Sequence, residues 1–396
     1  MSITTNIVPA TYSSVQDDLW HIATSNNSGQ VNMKYVFDLY TQDGTRQLIR
    51  TKVYPDINNG KGYFNAGDII KNEMTYDWFA IDMADEIYPM APNVSGQIAI
   101  TYQYRIGEDY SGVTSLNLVS GFVKAYNYLP TIWDRRNTAL YSNKQLMVSR
   151  NANPYVIRSN GDDDLLIPLR FISGTSSTIV VKVYSQGNTF TTDTITGLIP
   201  YTLVGGEAYA NVNIGPRVLN QHLNIGFITT NTKYYDVTFS GIPATIRVYV
   251  SCGGLYEQSQ LHFINSYGMF ETANFEGISK LNMSIQRKGF EKNPLVYGDS
   301  SVDYIKSNVK FYESKVNFDS VINWNMKLTY VNPTDDEYEW LSELIYSPQI
   351  YYQYNQKCYP VTIKNTNYEY SQVQNVKRKP LEIEIELNQK RNGFRR

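Results

Sequence analysis

Leu381, Ile383, Ile385 and Leu387 alternate without a break with Glu382, Glu384 and Glu386. Successive side chains of a strand point to opposite faces, so this segment makes one apolar face and one charged face, a pattern that a helix would scatter around its circumference. The same period of two recurs upstream. Met33, Tyr35, Phe37 and Leu39 form one such run, and Ile98, Ile100, Tyr102 and Tyr104 interleave with Ala99, Thr101, Gln103 and Arg105 in another. Turn residues separate the runs. Asp43-Gly44 offers the positive φ of a hairpin before a return strand over 48–54, and Gly60, Gly62 and Gly67 punctuate a short strand at Tyr63-Phe64. Short alternating strands between turn signals predict a mostly β, multi-domain chain of sandwiches, immunoglobulin- or fibronectin-like or jelly-roll-like.

A chain of 396 residues has room for about two to four modules, each able to bury its own core. The patterning places an N-terminal β-sandwich over 1–125 and a linker or long loop over 126–149, where periodicity fades around Pro130, Trp133, Arg135 and Arg136. A second sandwich follows over 150–250, with strands near 165–171, 178–184, 234–239 and 245–250. A β-rich domain over 255–396 closes the chain, with a further strand carrying Leu281, Met283 and Ile285. One short C-terminal helix is expected near 335–346. Thr334-Asp335-Asp336-Glu337 is a capping box, Tyr338, Leu341 and Leu344 or Ile345 make an apolar stripe, and Ser347-Pro348 stops the helix.

Charge and chemistry exclude more than they nominate. Lys plus Arg (35) nearly balances Asp plus Glu (37), which gives no electrostatic footprint for nucleic acid or an anionic membrane. No stretch reaches the roughly 18 apolar residues of a membrane helix, and the first residues lack the pattern of a standard export signal. Cys252 and Cys358 are read as buried, reduced thiols. His21, His222 and His262 are the only histidines and form no metal-ligand spacing, so no metal and no cofactor is expected. Cys252 with His262 as a nucleophile and base, and Asp82 with Asp85 and Glu86 as paired carboxylates, are the weighed catalytic candidates. Each is better read as structural or solvated. Gly161-Asp162-Asp163-Asp164 lacks the order of a calcium loop and reads as a polar turn before Leu165. Gly60-Lys61-Gly62 fits no phosphate-binding pattern. The expectation is a protein that is not an enzyme, with no catalytic residue.

What the chain has in surplus is tyrosine, 34 in all, a large rigid apolar body with a polar tip that suits protein interfaces as well as strands. Two stretches are also familiar. Tyr35-Val36-Phe37-Asp38-Leu39-Tyr40, Lys52-Val53-Tyr54-Pro55 and Gly62-Tyr63-Phe64-Asn65 resemble the N-terminal sandwich of structural proteins in phages and prophages of Bacteroidetes, including crAss-like phages. Leu261-His262-Phe263-Ile264-Asn265, Tyr267-Gly268-Met269-Phe270, Trp340-Leu341-Ser342-Glu343-Leu344 and Tyr359-Pro360-Val361 agree with it. The resemblance implies a tail-, collar- or fibre-associated virion protein, made in the host cytoplasm. Its partners would be copies of itself in a symmetric ring and other virion proteins. The alternative is a receptor- or glycan-binding module, with Trp78 and Trp133 as the stacking candidates, and a depolymerase is a more distant one. The arm over 376–396 is expected to be an assembly element, its basic ends Lys377, Arg378, Lys379, Arg395 and Arg396 reaching the glutamate face of a neighbouring subunit.

Overall fold

A computed structural model describes residues 3–10, 13–74, 99–127, 145–148, 154–159, 163–172, 177–187, 189–197, 202–204, 207–223, 228–229, 231–250, 258–291, 295–297, 302–304, 315–354, 357–364, 380–387 and 391–392. The chain is mostly β, in several sheets. Its first strands are β1 (Ile3–Ile7), β2 (Ser13–Ser14), β3 (Trp20–Ser25), β4 (Lys34–Thr41), β5 (Gln47–Val53), β6 (Gly62–Asn65), β7 (Ala99–Tyr110) and β8 (Val113–Tyr126), with a short helix α1 (Gly67–Asn72). They form two sheets, β1-β3-β6 and β2-β8-β7-β4-β5. Ile3, Ala23 and Phe64 of the first sheet meet Phe37, Tyr102 and Val123 of the second in one apolar cluster. The turn glycine of Asp43-Gly44 has a φ of 70° between antiparallel β4 and β5. Ser111 and Gly112 take positive φ in the tight turn from β7 to β8, the geometry that matches strand twist.

The middle of the chain holds β9 (Gln145–Leu146), β10 (Tyr155–Ser159), β11 (Leu166–Ile172), β12 (Ser177–Ser185), β13 (Phe190–Gly197), β14 (Thr202–Val204), β15 (Glu207–Asn213), β16 (Thr232–Phe239) and β17 (Thr245–Val250). A short helix α2 (Pro216–His222) starts on a proline, which needs no amide partner there. The sheets β10-β17-β16-β12-β13 and β14-β15-β11-β9 enclose a second cluster that includes Leu169, Val181, Val212, Tyr235 and Val248. β10 pairs parallel to β17, whereas the other strand pairs here are antiparallel.

The last third differs. It contains β18 (Ser259–Ile264), β19 (Phe270–Phe275), β20 (Lys280–Glu291), β21 (Leu295–Tyr297), β22 (Val302–Tyr304), β23 (Lys315–Tyr330), β24 (Ile350–Tyr354), β25 (Lys357–Ile363), β26 (Leu381–Leu387) and β27 (Arg391–Asn392). One sheet runs β19-β18-β24-β25-β26-β23-β20, with β27 also on β23, and β21 pairs β22 separately. Helix α3 (Asp335–Tyr346) lies on one face of that sheet. Its Thr334 accepts from the Glu337 amide at 3.1 Å while the Glu337 carboxylate accepts from the Thr334 amide at 2.8 Å. Trp340, Leu341 and Leu344 face the sheet and Ile345 is only partly buried, so the stripe runs through Leu344.

One expectation needs correction. Helix is not confined to one C-terminal segment, since α1 and α2 are present among the described residues; both are short and carry no side-chain cap, which leaves little sequence signal. The glutamate-bearing strand β26 is an inner strand of the sheet. It lies between β25 and β23, and Lys327 (2.5 Å from Glu382) and Lys364 (3.4 Å from Glu386) offset its charged face from within the same chain.

Candidate assembly interface

The hairpin β18–β19 is buried along both strands. Alternation explains how. Leu261, Phe263, Ala273 and Phe275 point into the cluster beneath α3, and the opposite set, Gln260, His262, Ile264, Phe270, Thr272 and Asn274, meets the middle sheets. The centre of that meeting is Asp164, fully buried. Its carboxylate accepts from Asn213 and Arg217 at 2.7 Å each and from Gln353 at 2.6 Å. Gln260 closes on the Asp164 backbone carbonyl at 2.8 Å, and His262 bridges Thr272 (2.9 Å) and Gln353 (2.6 Å). A buried carboxylate is tolerated only when paired and hydrogen-bonded, and this one is. Arg158 adds a second tie, donating to the Val331 carbonyl at 3.2 Å and lying 3.6 Å from Glu276. The turn of the hairpin reaches the other way. Asn265 donates to the Met147 carbonyl at 2.7 Å, and Gly268, at φ +77°, sits where a Cβ would come within 2.0 Å of the Asn127 carbonyl oxygen. The stretch around Leu261-His262-Phe263-Ile264-Asn265 is therefore a structural joint.

Beyond the joint, the same sheet is left half covered. The register aligns Leu261 with Tyr352, Tyr352 with Tyr359, Ile363 with Ile385, Ile385 with Met326 and Met326 with Leu281, all on the α3 face. Helix α3 covers the part built on Phe263, Leu328, Ile350 and Ile383. The remainder is an open apolar groove of about 370 Å³ lined by Leu281, Trp324, Met326, Tyr354, Tyr359 and Leu387, among others. A sheet face of this composition ordinarily packs on a second layer.

The groove ends at β20, whose twelve residues are all exposed. Leu281 (55%), Met283 (50%) and Ile285 (39%) alternate along it on the groove side, opposite Met326, Trp324 and Ile322 of β23. Among the described residues no strand pairs with its other edge. A long strand edge with exposed aliphatics is a template for another chain, and folded proteins usually shorten, bulge or cover such edges. Phe290 and Phe318 are also exposed, with ring centroids 6.3 Å apart, and Phe290 alternates onto the face of Lys280 and Lys288 rather than the groove side.

The three histidines weighed for chemistry lie on separate elements, β3, α2 and β18. His21 is buried and meets the Tyr102 hydroxyl at 3.0 Å; burial lowers its pKa to about 4. Burial lowers the pKa of His262, an effect that its Gln353 bond and the Asp164 charge oppose. His222 ends α2. Asp163 and Asp164, expected in a polar turn, are both buried, Asp163 accepting from Ser159 and Asp164 from Asn213 and Arg217. Cys358 is partly buried. Cys252, Asp82, Asp85, Glu86, Trp78 and Trp133, with Gly161 and Asp162, lie outside the described residues, as do Lys377, Arg378, Lys379, Arg395 and Arg396 and most of the expected linker. Among the described residues no group of three or more His, Cys, Asp or Glu is placed to hold a metal ion, and no helix is long and apolar enough to cross a membrane. No protein-family model matches the chain, and no curated protein matches it by sequence.

Proposed function

We propose that the chain is a non-enzymatic structural protein of a tailed-bacteriophage virion, working by protein–protein assembly in the tail, collar or ring region or as a fibre anchor. The observation that carries the assembly reading is the exposed edge strand β20 beside the open apolar groove, a surface costly to leave in water and shaped for another polypeptide. The buried joint around Asp164 supports it, because a subunit that bears load between neighbours needs its own layers fixed to one another. The virion assignment rests on the resemblance of Tyr35-Val36-Phe37-Asp38-Leu39-Tyr40 and Leu261-His262-Phe263-Ile264-Asn265 to phage structural proteins. In this reading the two-sheet layers are immunoglobulin- or fibronectin-like or jelly-roll-like scaffolds, and the chain goes from the host cytoplasm into the particle.

Quantitative mass spectrometry of purified phage particles tests the proposal. The expected result is this chain at a fixed ratio to the other virion proteins, with one copy number across preparations. Its absence from particles in which the other structural proteins are present would overturn the assignment.

A further inference from the structure

The chemistry of β20 specifies what would sit beside it. On the groove side it presents Leu281, Met283, Ile285 and then Arg287, and on the opposite side Lys280, Asn282, Ser284, Gln286 and Lys288; its one carboxylate is Glu291 at the end. On that polar side the sheet carries an ordered column of charge. Glu384 of β26 stands opposite Lys327 of β23, and Lys327 stands opposite Lys280 of β20. Lys327 is engaged with Glu382 at 2.5 Å, and Lys288 lies 3.7 Å from Asp319. The column therefore runs acid, base, base and stops at the open edge. Like charges directly opposite one another destabilise a strand pair, and a carboxylate on the far side of Lys280 would relieve this one.

We propose that the free edge of β20 accepts an extended segment of another protein that alternates apolar and acidic residues, joining the sheet as an added strand. Its backbone would satisfy the unpaired edge, its apolar side chains would continue the row of Leu281, Met283 and Ile285, and its carboxylates would meet Lys280 and Lys288. Twelve residues of strand give a contact about 40 Å long. A second copy is the weaker occupant. Antiparallel pairing of β20 with itself gathers Lys280, Arg287 and Lys288 from both chains against two copies of Glu291, so the cations that discourage self-pairing are those that would select an acidic partner. The inference rests on the assembly reading above and names its partner chemistry.

The test uses the full chain and two labelled ten-residue peptides, one alternating Val and Glu, the other Val and Lys, followed by fluorescence anisotropy and hydrogen exchange. The Glu peptide is expected to bind at least about tenfold tighter than the Lys peptide and to protect amides over 280–291. K280E/K288E, which alters two exposed side chains, is expected to reverse the preference with an unchanged melting temperature. Equal binding of both peptides, no binding, or protection elsewhere would overturn the proposal. So would a dimer of the unmodified chain that dissociates in K280E/K288E, which would make a second copy the occupant. Native mass spectrometry separates this failure from failure of the assembly reading: oligomers or virion incorporation that survive K280E/K288E leave assembly standing and remove only the acidic strand.

Discussion

His21 shows how a single buried side chain sets a pH limit on the fold. Its Nε2 faces the Tyr102 hydroxyl, its Nδ1 has no hydrogen-bond partner among the described residues, and burial lowers its pKa from 6.5 to about 4. The unfolded chain therefore takes up this proton first, and acid favours unfolding. The contribution of this group to stability is complete above pH 6.5 and falls between about 6.5 and 4, by at most about 3.5 kcal/mol at roughly 1.4 kcal/mol per unit. His262, also lowered by burial, acts in the same direction. Replacing His21 with Gln should flatten the acid limb of a melting-temperature profile over that window; a profile as steep as the unmodified chain's would contradict the account. None of this was legible in sequence, where His21 is one polar residue beside Trp20. Its burial comes from strand pairing that sets it against Phe64 and from the sheet that carries Tyr102 and Tyr104.

Among the elements, β18–β19 joins what the alternating strands merely build. Removing the Asp164 carboxylate by Asp164→Ala would leave Arg217, Asn213 and Gln353 without their common acceptor, and breaking a buried pair of this kind costs about 3–5 kcal/mol. Calorimetry should show a lower melting temperature and a separation of the last sheet from the middle ones into two transitions. A single transition at the original temperature would mean that the joint is held elsewhere. The period of two made most strands readable, and Thr334 with Glu337 made α3 readable, because both signals are local. The joint was hidden because its partners lie far apart in sequence: Asp164 and Gln353 are separated by 189 positions. The same limit hid the neighbours of β26, because its glutamates mark a charged face without saying that β25 and β23 flank it.

Across the molecule, apolar clusters fill the two-sheet layers and the region beneath α3, whereas the groove and β20 stay in water. Leu281, Met283 and Ile285 were legible as a strand but not as an exposed one. Exposure depends on α3 covering only one half of the sheet, and alternation marks two faces without saying which is covered. Tyrosine divides the same way: Tyr35, Tyr102, Tyr155, Tyr209 and Tyr235 are fully buried, while Tyr354 and Tyr54 stand exposed. Under the proposed function, this open surface is where the chain meets its neighbours. Hydrogen exchange on the isolated chain and on the same chain within its assembled particle measures that directly. Amides over 280–291 are expected to exchange rapidly in the isolated chain and to become strongly protected on assembly, together with the groove strands over 322–326, 350–354 and 357–359. Protection confined to other surfaces, with 280–291 exchanging equally fast in both states, would contradict it.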